Sequence, residues 1–210
     1  DKVVMDLTKY IRPGLREKDV KRKVEELCIE NGASGISFEP LVASGPNSSM
    51  PHYNDDKRVI QERDIVILDI GCKYNGYCSD ITRTVFVGEP TDEQRKIYEI
   101  VKEANRQGEM CIKEGMPAAE VDKAVRKVIE DAGYGEYFIH RTGHGIGVAV
   151  HEAPYIHQAN KQTLKTGMAF SIEPGIYLPG KFGVRIEDIV IVDGEKAEVL
   201  NKCTKDLIVI

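Results

Sequence analysis

The sequence predicts an α+β fold made of two related halves. Three observations carry this. Amphipathic helical segments are followed by strand-rich, glycine-punctuated segments, twice over. Seven positions of one helical region recur in another at a constant offset of 101: Ile11, Gly14, Asp19, Val20, Val24, Leu27 and Gly32 against Ile112, Gly115, Glu120, Val121, Val125, Val128 and Gly133. The later parts echo each other as well. Arg63 to Gly71 and Thr166 to Gly175 each give an apolar strand, a carboxylate, one residue, then Gly. Chance does not usually hold register over that many positions, and two copies are too few for a solenoid. The expected halves run over about 1–88 and 91–193 of a single 1–210 domain, and they meet at a shared seam.

The elements follow in order. Val3, Val4, Leu7 and Ile11 share one helical face, and Pro13-Gly14 ends that helix. Glu17 to Asn31 forms a second amphipathic helix with Gly32 as its stop signal. Ser34 to Ser44 is strand-like, Gly45 to Ser49 is a loop, and Pro51-His52-Tyr53 follows it. Residues 54–63 make a polar connection. Ile65 to Ile70 and Asp80 to Val87 are strands that a turn at Asn75-Gly76 joins into a hairpin. In the second half, Thr91 with Gln94 three residues on is a capping box. By the repeat offset, the counterpart helix of the first half is expected to start about ten residues before Asp1, so Asp1 is expected to lie inside a helix. Tyr137 to His151 is rich in Gly and His. Val184 to Val192 and Leu207 to Ile210 are strands.

Composition narrows the class. A chain of 210 residues can bury a sizeable core, and 41% hydrophobic with 30% charged residues describes an ordinary soluble globule. A net charge of −5 speaks against a nucleic-acid partner. No apolar run approaches membrane-spanning length. The five cysteines are odd in number and lack CxxC spacing, which favours free thiols in a reducing cytoplasm over a disulfide frame or a thiolate zinc site.

Asp69 sits in the apolar run Ile65 to Ile70, where a carboxylate needs a counter-charge. The hairpin brings Asp80 beside it, and two acids that close cannot both ionise without a cation. The second half supplies Glu173 and Glu187 at corresponding places, and His144 lies in a Gly-rich run. Each has a bland alternative: a strand-edge Asp, a turn Glu beside Pro174-Gly175, a loop His, and a surface pair of Glu187 with Arg185. Those alternatives leave the matched acids of the two halves unexplained. Asp69, Asp80, His144, Glu173 and Glu187 form an oxygen-rich set whose four negative charges balance two divalent cations. Such a set suits Mn²⁺, Co²⁺ or Fe²⁺, with Zn²⁺ as a further choice.

These residues resemble the proline-specific metallopeptidases, prolidase and aminopeptidase P, of the pita-bread fold. The resemblance rests on Leu68-Asp69-Ile70-Gly71, Ser79-Asp80-Ile81-Thr82-Arg83-Thr84, His140 to Gly147 with His151-Glu152, Ser171 to Gly175, and Val184 to Asp188. It implies two pseudo-symmetric halves with a curved antiparallel sheet, and a dinuclear site that hydrolyses the Xaa-Pro bond with a metal-bridging hydroxide. It assigns Asp69 to one metal, His144 and Glu173 to the other, and Asp80 and Glu187 to both. Glu173 also becomes the general base and then acid. His52 and His151 match histidines that face the substrate and the tetrahedral intermediate. His52 falls within two residues of His151's counterpart by the repeat offset. His140 and Arg185 match positions on the proline side. The implied metals are Mn²⁺ or Co²⁺ first, the partner is a peptide with proline in second position, and the full-length relatives form homodimers. Their N-terminal domain has no expected counterpart within residues 1–210, so dipeptidase and aminopeptidase action both stay open.

Two other readings share the fold. Methionine aminopeptidases have the five ligands but not a His at the place of His140, nor the pattern of Arg185 before Glu187. A non-catalytic pita-bread module that binds peptides usually loses ligands, and all five are filled here.

Overall fold

The computed structural model describes all 210 residues, Asp1 to Ile210. The first half begins with helices α1 (Lys2–Tyr10) and α2 (Glu17–Glu30). The apolar stripe of α2 buries Val20, Val24, Leu27 and Cys28, and each such aliphatic side chain is worth about 1.5–3 kcal/mol on full burial. Strands β1 (Gly35–Ile36), β2 (Leu41–Ser44), β3 (Ile65–Ile70), β4 (Cys72–Tyr74), β5 (Tyr77–Cys78) and β6 (Ile81–Phe86) follow. The second half has α3 (Asp92–Cys111) and α4 (Ala118–Asp131). It continues with β7 (Gly143–Gly145), β8 (Glu152–Ile156), β9 (Ala169–Ile172), β10 (Gly175–Leu178), β11 (Phe182–Arg185), β12 (Asp188–Asp193), β13 (Lys196–Val199) and β14 (Ile208–Val209).

The halves behave alike where the repeat aligns them. Gly14 and Gly115 take φ values of +92° and +86°, and Gly32 and Gly133 take +88° and +84°, a region that only Gly enters freely. Arg16 pairs with Val59 in the first half and Pro117 with Thr163 in the second. Thr91 caps α3 as its spacing predicts, its Oγ1 accepting from Gln94 N at 3.2 Å and its N donating to Gln94 Oε1 at 2.8 Å. Each half has its own apolar core, one around Val20, Val24 and Leu68, the other around Val121, Val125 and Phe170.

Two main sheets carry the site. The first has the order β14-β6-β3-β2 and the second β13-β12-β9-β7-β8. All pairs are antiparallel except β14 with β6, which is parallel. The sheets touch at one backbone bridge, Thr82 with Glu187.

Three segments differ from the sequence expectation. Ser34 to Ser44 is not one strand. Ser37 turns away to donate to Gly71 O at 2.9 Å, Pro40 has no N–H for a ladder, and β1 and β2 join different sheets. Gly45–Ser49 is a 3₁₀ turn. Val184 to Val192 breaks after Arg185, because Ile186 N donates to Pro174 O while Glu187 N crosses the seam to Thr82 O at 3.1 Å. No helix is long and apolar enough to cross a membrane.

Candidate functional site

The hairpin expected from the first half forms: β3 pairs with β6, with Asp69 opposite Thr82 and Ile70 opposite Ile81. A smaller hairpin, β4 with β5, sits at its end. Asp80 stands just before β6 and is buried, whereas Asp69 is half-buried. In the second half, β7 carries His144, Glu173 follows β9, and Glu187 lies in the break between β11 and β12. Glu173 is fixed by its N–H to Thr142 O at 2.8 Å and by Ser171 Oγ to its Oε1 at 3.2 Å.

Asp80, His144 and Glu187 converge, with one ligand atom from each lying within 4.8 Å of the others. His144 Nε2 is 3.7 Å from Asp80 Oδ2 and 3.4 Å from Glu173 Oε1. Its Nδ1 lies 3.1 Å from Gly145 O. A carbonyl only accepts, so Nδ1 holds the proton and Nε2 faces the acids with a free lone pair. Asp69 is turned otherwise: its Oδ2 takes Arg185 Nη2 at 2.5 Å.

The electrostatics show what this centre lacks. Burial, then the charges of Glu187, Asp69 and Glu173, pushes the Asp80 carboxyl well above its ordinary range. Burial, then Glu173 and Asp69, does the same to Glu187. Burial takes Glu173 up to about 7, although Arg185 opposes it. Burial brings His144 down to about 4 and keeps its ring neutral. Asp80 Oδ1 is buried with no hydrogen-bond partner, a cost of about 1–3 kcal/mol if nothing satisfies it. Acceptor-only oxygens, a neutral imidazole lone pair and one orphaned oxygen fit hard divalent cations.

The proposed substrate-side residues line one cavity of about 610 Å³ together with the five candidate ligands. His52 and His151 are exposed on it, and the His151 ring packs edge-on to His144 with centroids 4.2 Å apart. His140 is held by two contacts: Nδ1 to Arg141 O at 2.7 Å, and Nε2 to Tyr177 Oη at 2.9 Å. Burial first, and then Arg185, lowers the His140 imidazole to about 3. Arg185 is buried and does not form the surface pair with Glu187. It donates to Tyr177 Oη at 2.9 Å, to Thr82 Oγ1 at 3.3 Å and to Asp69.

Several supporting residues escape sequence reasoning. Tyr177 joins His140 to Arg185, and nothing in its sequence surroundings marks it. Arg83 is fully buried and donates to Thr82 O, Glu187 O, Asp188 Oδ1, Cys203 O and Thr204 O. An arginine inside the apolar run Ile81 to Val87 was the available signal, since it must find buried acceptors. Glu17 is fully buried at the start of α2 and accepts from Ser44 N, Ser44 Oγ, Asn47 Nδ2 and Tyr53 Oη. It thereby ties down the segment next to His52.

The comparisons with known proteins give the family. The model of metallopeptidase family M24 matches residues 1–194. An Xaa-Pro dipeptidase of Pyrococcus furiosus is 46% identical over 208 residues, 99% of this chain and 60% of that protein. A probable dipeptidase of Mycobacterium bovis is 46% identical over 211 residues, 100% of this chain and 56% of the other. Among solved structures, an Xaa-Pro dipeptidase from Bacillus anthracis superposes with a TM-score of 0.98 at 46% identity, covering 100% of this chain and 59% of the other. An X-Pro aminopeptidase from Thermotoga maritima gives 0.97 at 38% identity, with coverages of 100% and 59%. The chain thus spans 56% to 60% of the length of the two curated relatives. The fold is the pita-bread fold of these peptidases, and the family implies divalent metal at the acidic centre. Matched over nearly its whole length, the chain belongs to metallopeptidase family M24.

Proposed function

We propose that this protein is a metallo-exopeptidase that hydrolyses the Xaa-Pro peptide bond, acting first as a dipeptidase. The observation that carries the reading is the convergence of Asp80, His144 and Glu187 around an unpartnered Asp80 Oδ1 inside an open cavity. The similar proteins of Pyrococcus furiosus and Bacillus anthracis, both Xaa-Pro dipeptidases, support the substrate class.

Asp69, Asp80, His144, Glu173 and Glu187 would hold two divalent cations, manganese or cobalt first. Asp80 and Glu187, both buried beside His144, would be central to that set. Bound there, the pair supplies charge neutralisation, an acidified water and polarisation of the substrate carbonyl.

The protein's own groups do the rest. Glu173 takes the proton of the attacking water on its carboxylate and returns it to the proline nitrogen as the C–N bond breaks. Its raised carboxyl, near 7, suits both directions of transfer. His52 and His151 face the open side and donate to the oxyanion. Burial, then Arg141, lowers the His151 imidazole, so it donates mainly as a neutral ring. The wall of His140, Tyr177 and Arg185 holds the proline ring. An Xaa-Pro nitrogen has no N–H to offer, and His140 Nε2 is already satisfied by Tyr177, so the wall leaves no acceptor stranded.

The test uses protein reconstituted with Mn²⁺ or Co²⁺. Leu-Pro, a longer Leu-Pro-initiated peptide and Met-Ala-Ser are compared. Hydrolysis of Leu-Pro above the other two is expected. Cleavage of Met-Ala-Ser without either Pro peptide would replace this reading with a methionine aminopeptidase.

A further inference from the structure

The buried face of α2 carries two charged residues, Glu17 with its four donors and Lys21 without a hydrogen-bonded partner. Glu17, Val20, Lys21, Val24, Leu27 and Cys28 are its buried positions. Lys21 is only 6% exposed. Lysine is rarely buried unless it is paired.

Its counterpart in the second half shows what a satisfied group at this place looks like. The repeat offset aligns Lys21 with Asp122, which is also fully buried. Asp122 accepts from Thr142 Oγ1 at 2.8 Å and from Arg126 Nε at 3.0 Å, and so fixes the segment after His140 and Arg141. Lys21 has no such role. Its nearest carboxylate oxygen, Glu39 Oε1, is 3.8 Å away on a side chain that is 74% exposed. That is an ion pair beyond hydrogen-bond distance with a solvated partner, and it is worth little.

Lys21 instead lines the active-site cavity, as do Phe38, Glu39 and Leu41. Leu41 is the strand partner of Asp69 on β2, the outer strand of its sheet. This flank and the His140 wall line the same cavity as the five candidate ligands. If the His140 wall takes proline, the Lys21 flank receives the residue before it.

We propose that Lys21 sets the specificity of this flank and selects an acidic Xaa side chain, so that Glu-Pro and Asp-Pro are preferred substrates. The proposal rests on the Xaa-Pro reading above. A carboxylate entering from the substrate supplies the charge-assisted hydrogen bond that Lys21 lacks. Glu39, being solvated, turns out to water at small cost. Phe38 and Leu41 line the same cavity and offer apolar surface that would shield the pair from solvent and from screening.

The experiment compares Glu-Pro with Gln-Pro, which match in shape and differ in charge, with Leu-Pro as the reference for hydrolysis itself. Metal-reconstituted wild type is expected to show kcat/KM for Glu-Pro above Gln-Pro by roughly tenfold or more. Lys21→Met is expected to bring the ratio to about one, and Lys21→Arg to keep most of it. Added salt is expected to shrink the ratio only modestly in the wild type. A wild-type ratio near one overturns the proposal, as does a ratio that survives Lys21→Met or a loss that falls equally on all three dipeptides. Loss of Leu-Pro hydrolysis in the wild type instead removes the Xaa-Pro reading. Equilibrium binding of Glu-Pro against Gln-Pro to the wild type and to Lys21→Met then decides on the Lys21 flank, with equal binding overturning it.

Discussion

Thr82 and Glu187 join the two half-sheets through both backbone and side chain: Glu187 N donates to Thr82 O at 3.1 Å, and Thr82 Oγ1 donates to Glu187 Oε2 at 2.6 Å. The same contact closes the seam and aims a carboxylate at Asp80 and His144. Fold and site are therefore coupled at one residue pair, with Arg83 tying the adjacent carbonyls of both strands together.

Removing the Thr82 hydroxyl tests that coupling. Thr82→Val keeps the β-branched shape in a buried strand and deletes the hydroxyl, which donates to Glu187 Oε2 and accepts from Arg185 Nε. Groups that orient a metal ligand typically carry about 10–100-fold in metal affinity. Titration of the metal-free variant with Mn²⁺ is expected to show a loss of that size, with the circular dichroism spectrum kept. Wild-type affinity would mean that the backbone bridge alone sets Glu187.

Asp80→Asn is expected to separate stability from function. In the metal-free protein, Asp80 is destabilised by burial and by Glu187, Asp69 and Glu173. A neutral side chain of the same shape, at a pH where the unfolded carboxyl is ionised, is expected to stabilise that form by roughly 1–3 kcal/mol. The same change is expected to abolish hydrolysis, because one of the carboxylates proposed to hold the cations is lost. Thermal unfolding in chelator, alongside a Leu-Pro assay, checks both. A less stable metal-free variant would show that the acids are not in conflict.

Much of this was legible in the residues, for stated reasons. Asp69 and Asp80 stood out because acids in apolar strands carry a desolvation cost. The echo between the later segments of the two halves showed Glu173 and Glu187 as their counterparts. What stayed hidden depends on contacts distant in sequence. Arg185 was readable as a surface partner of Glu187, two residues away, yet it reaches across to Asp69 because residue 187 leaves its hairpin for the seam. Tyr177 acquires its place only when β10 folds against His140. The break of Val184 to Val192 was hidden too, since its pattern fits one continuous strand.

His151→Ala addresses the open side of the cavity. His151 packs on His144 edge-on but makes no contact with the acids. Its loss is expected to lower kcat by about 10²–10³-fold, the usual scale for one oxyanion donor. Metal affinity is expected to stay within about threefold, because no ligand atom is removed. Parallel kinetics and metal titration read the two effects separately. A fall in metal affinity that matched the fall in kcat would make His151 a support of His144 rather than a donor.

The metal-free protein is expected to lose stability as pH rises from 6.5 to 8. Glu173 has its folded carboxyl at about 7, raised chiefly by burial, above an unfolded value of about 4.3. A carboxyl raised in this way holds its proton more tightly in the folded chain. Its contribution is complete below the unfolded value and disappears as pH climbs through the folded one. Asp80 and Glu187 shift in the same direction. His144 and His140 are lowered, to about 4 and about 3, and they pull the other way, but only below their unfolded value of about 6.5. Above it both rings are neutral in either state, so the carboxyls alone set the slope, at up to about 1.4 kcal/mol per pH unit for each titrating group. Divalent cation replaces the protons and gains affinity as they leave. Thermal unfolding in chelator is therefore expected to show a falling midpoint from pH 6.5 to 8, and unfolding in excess Mn²⁺ a level or rising one. A midpoint in chelator that does not move across this range would mean that the buried acids are not competing for protons in the folded protein.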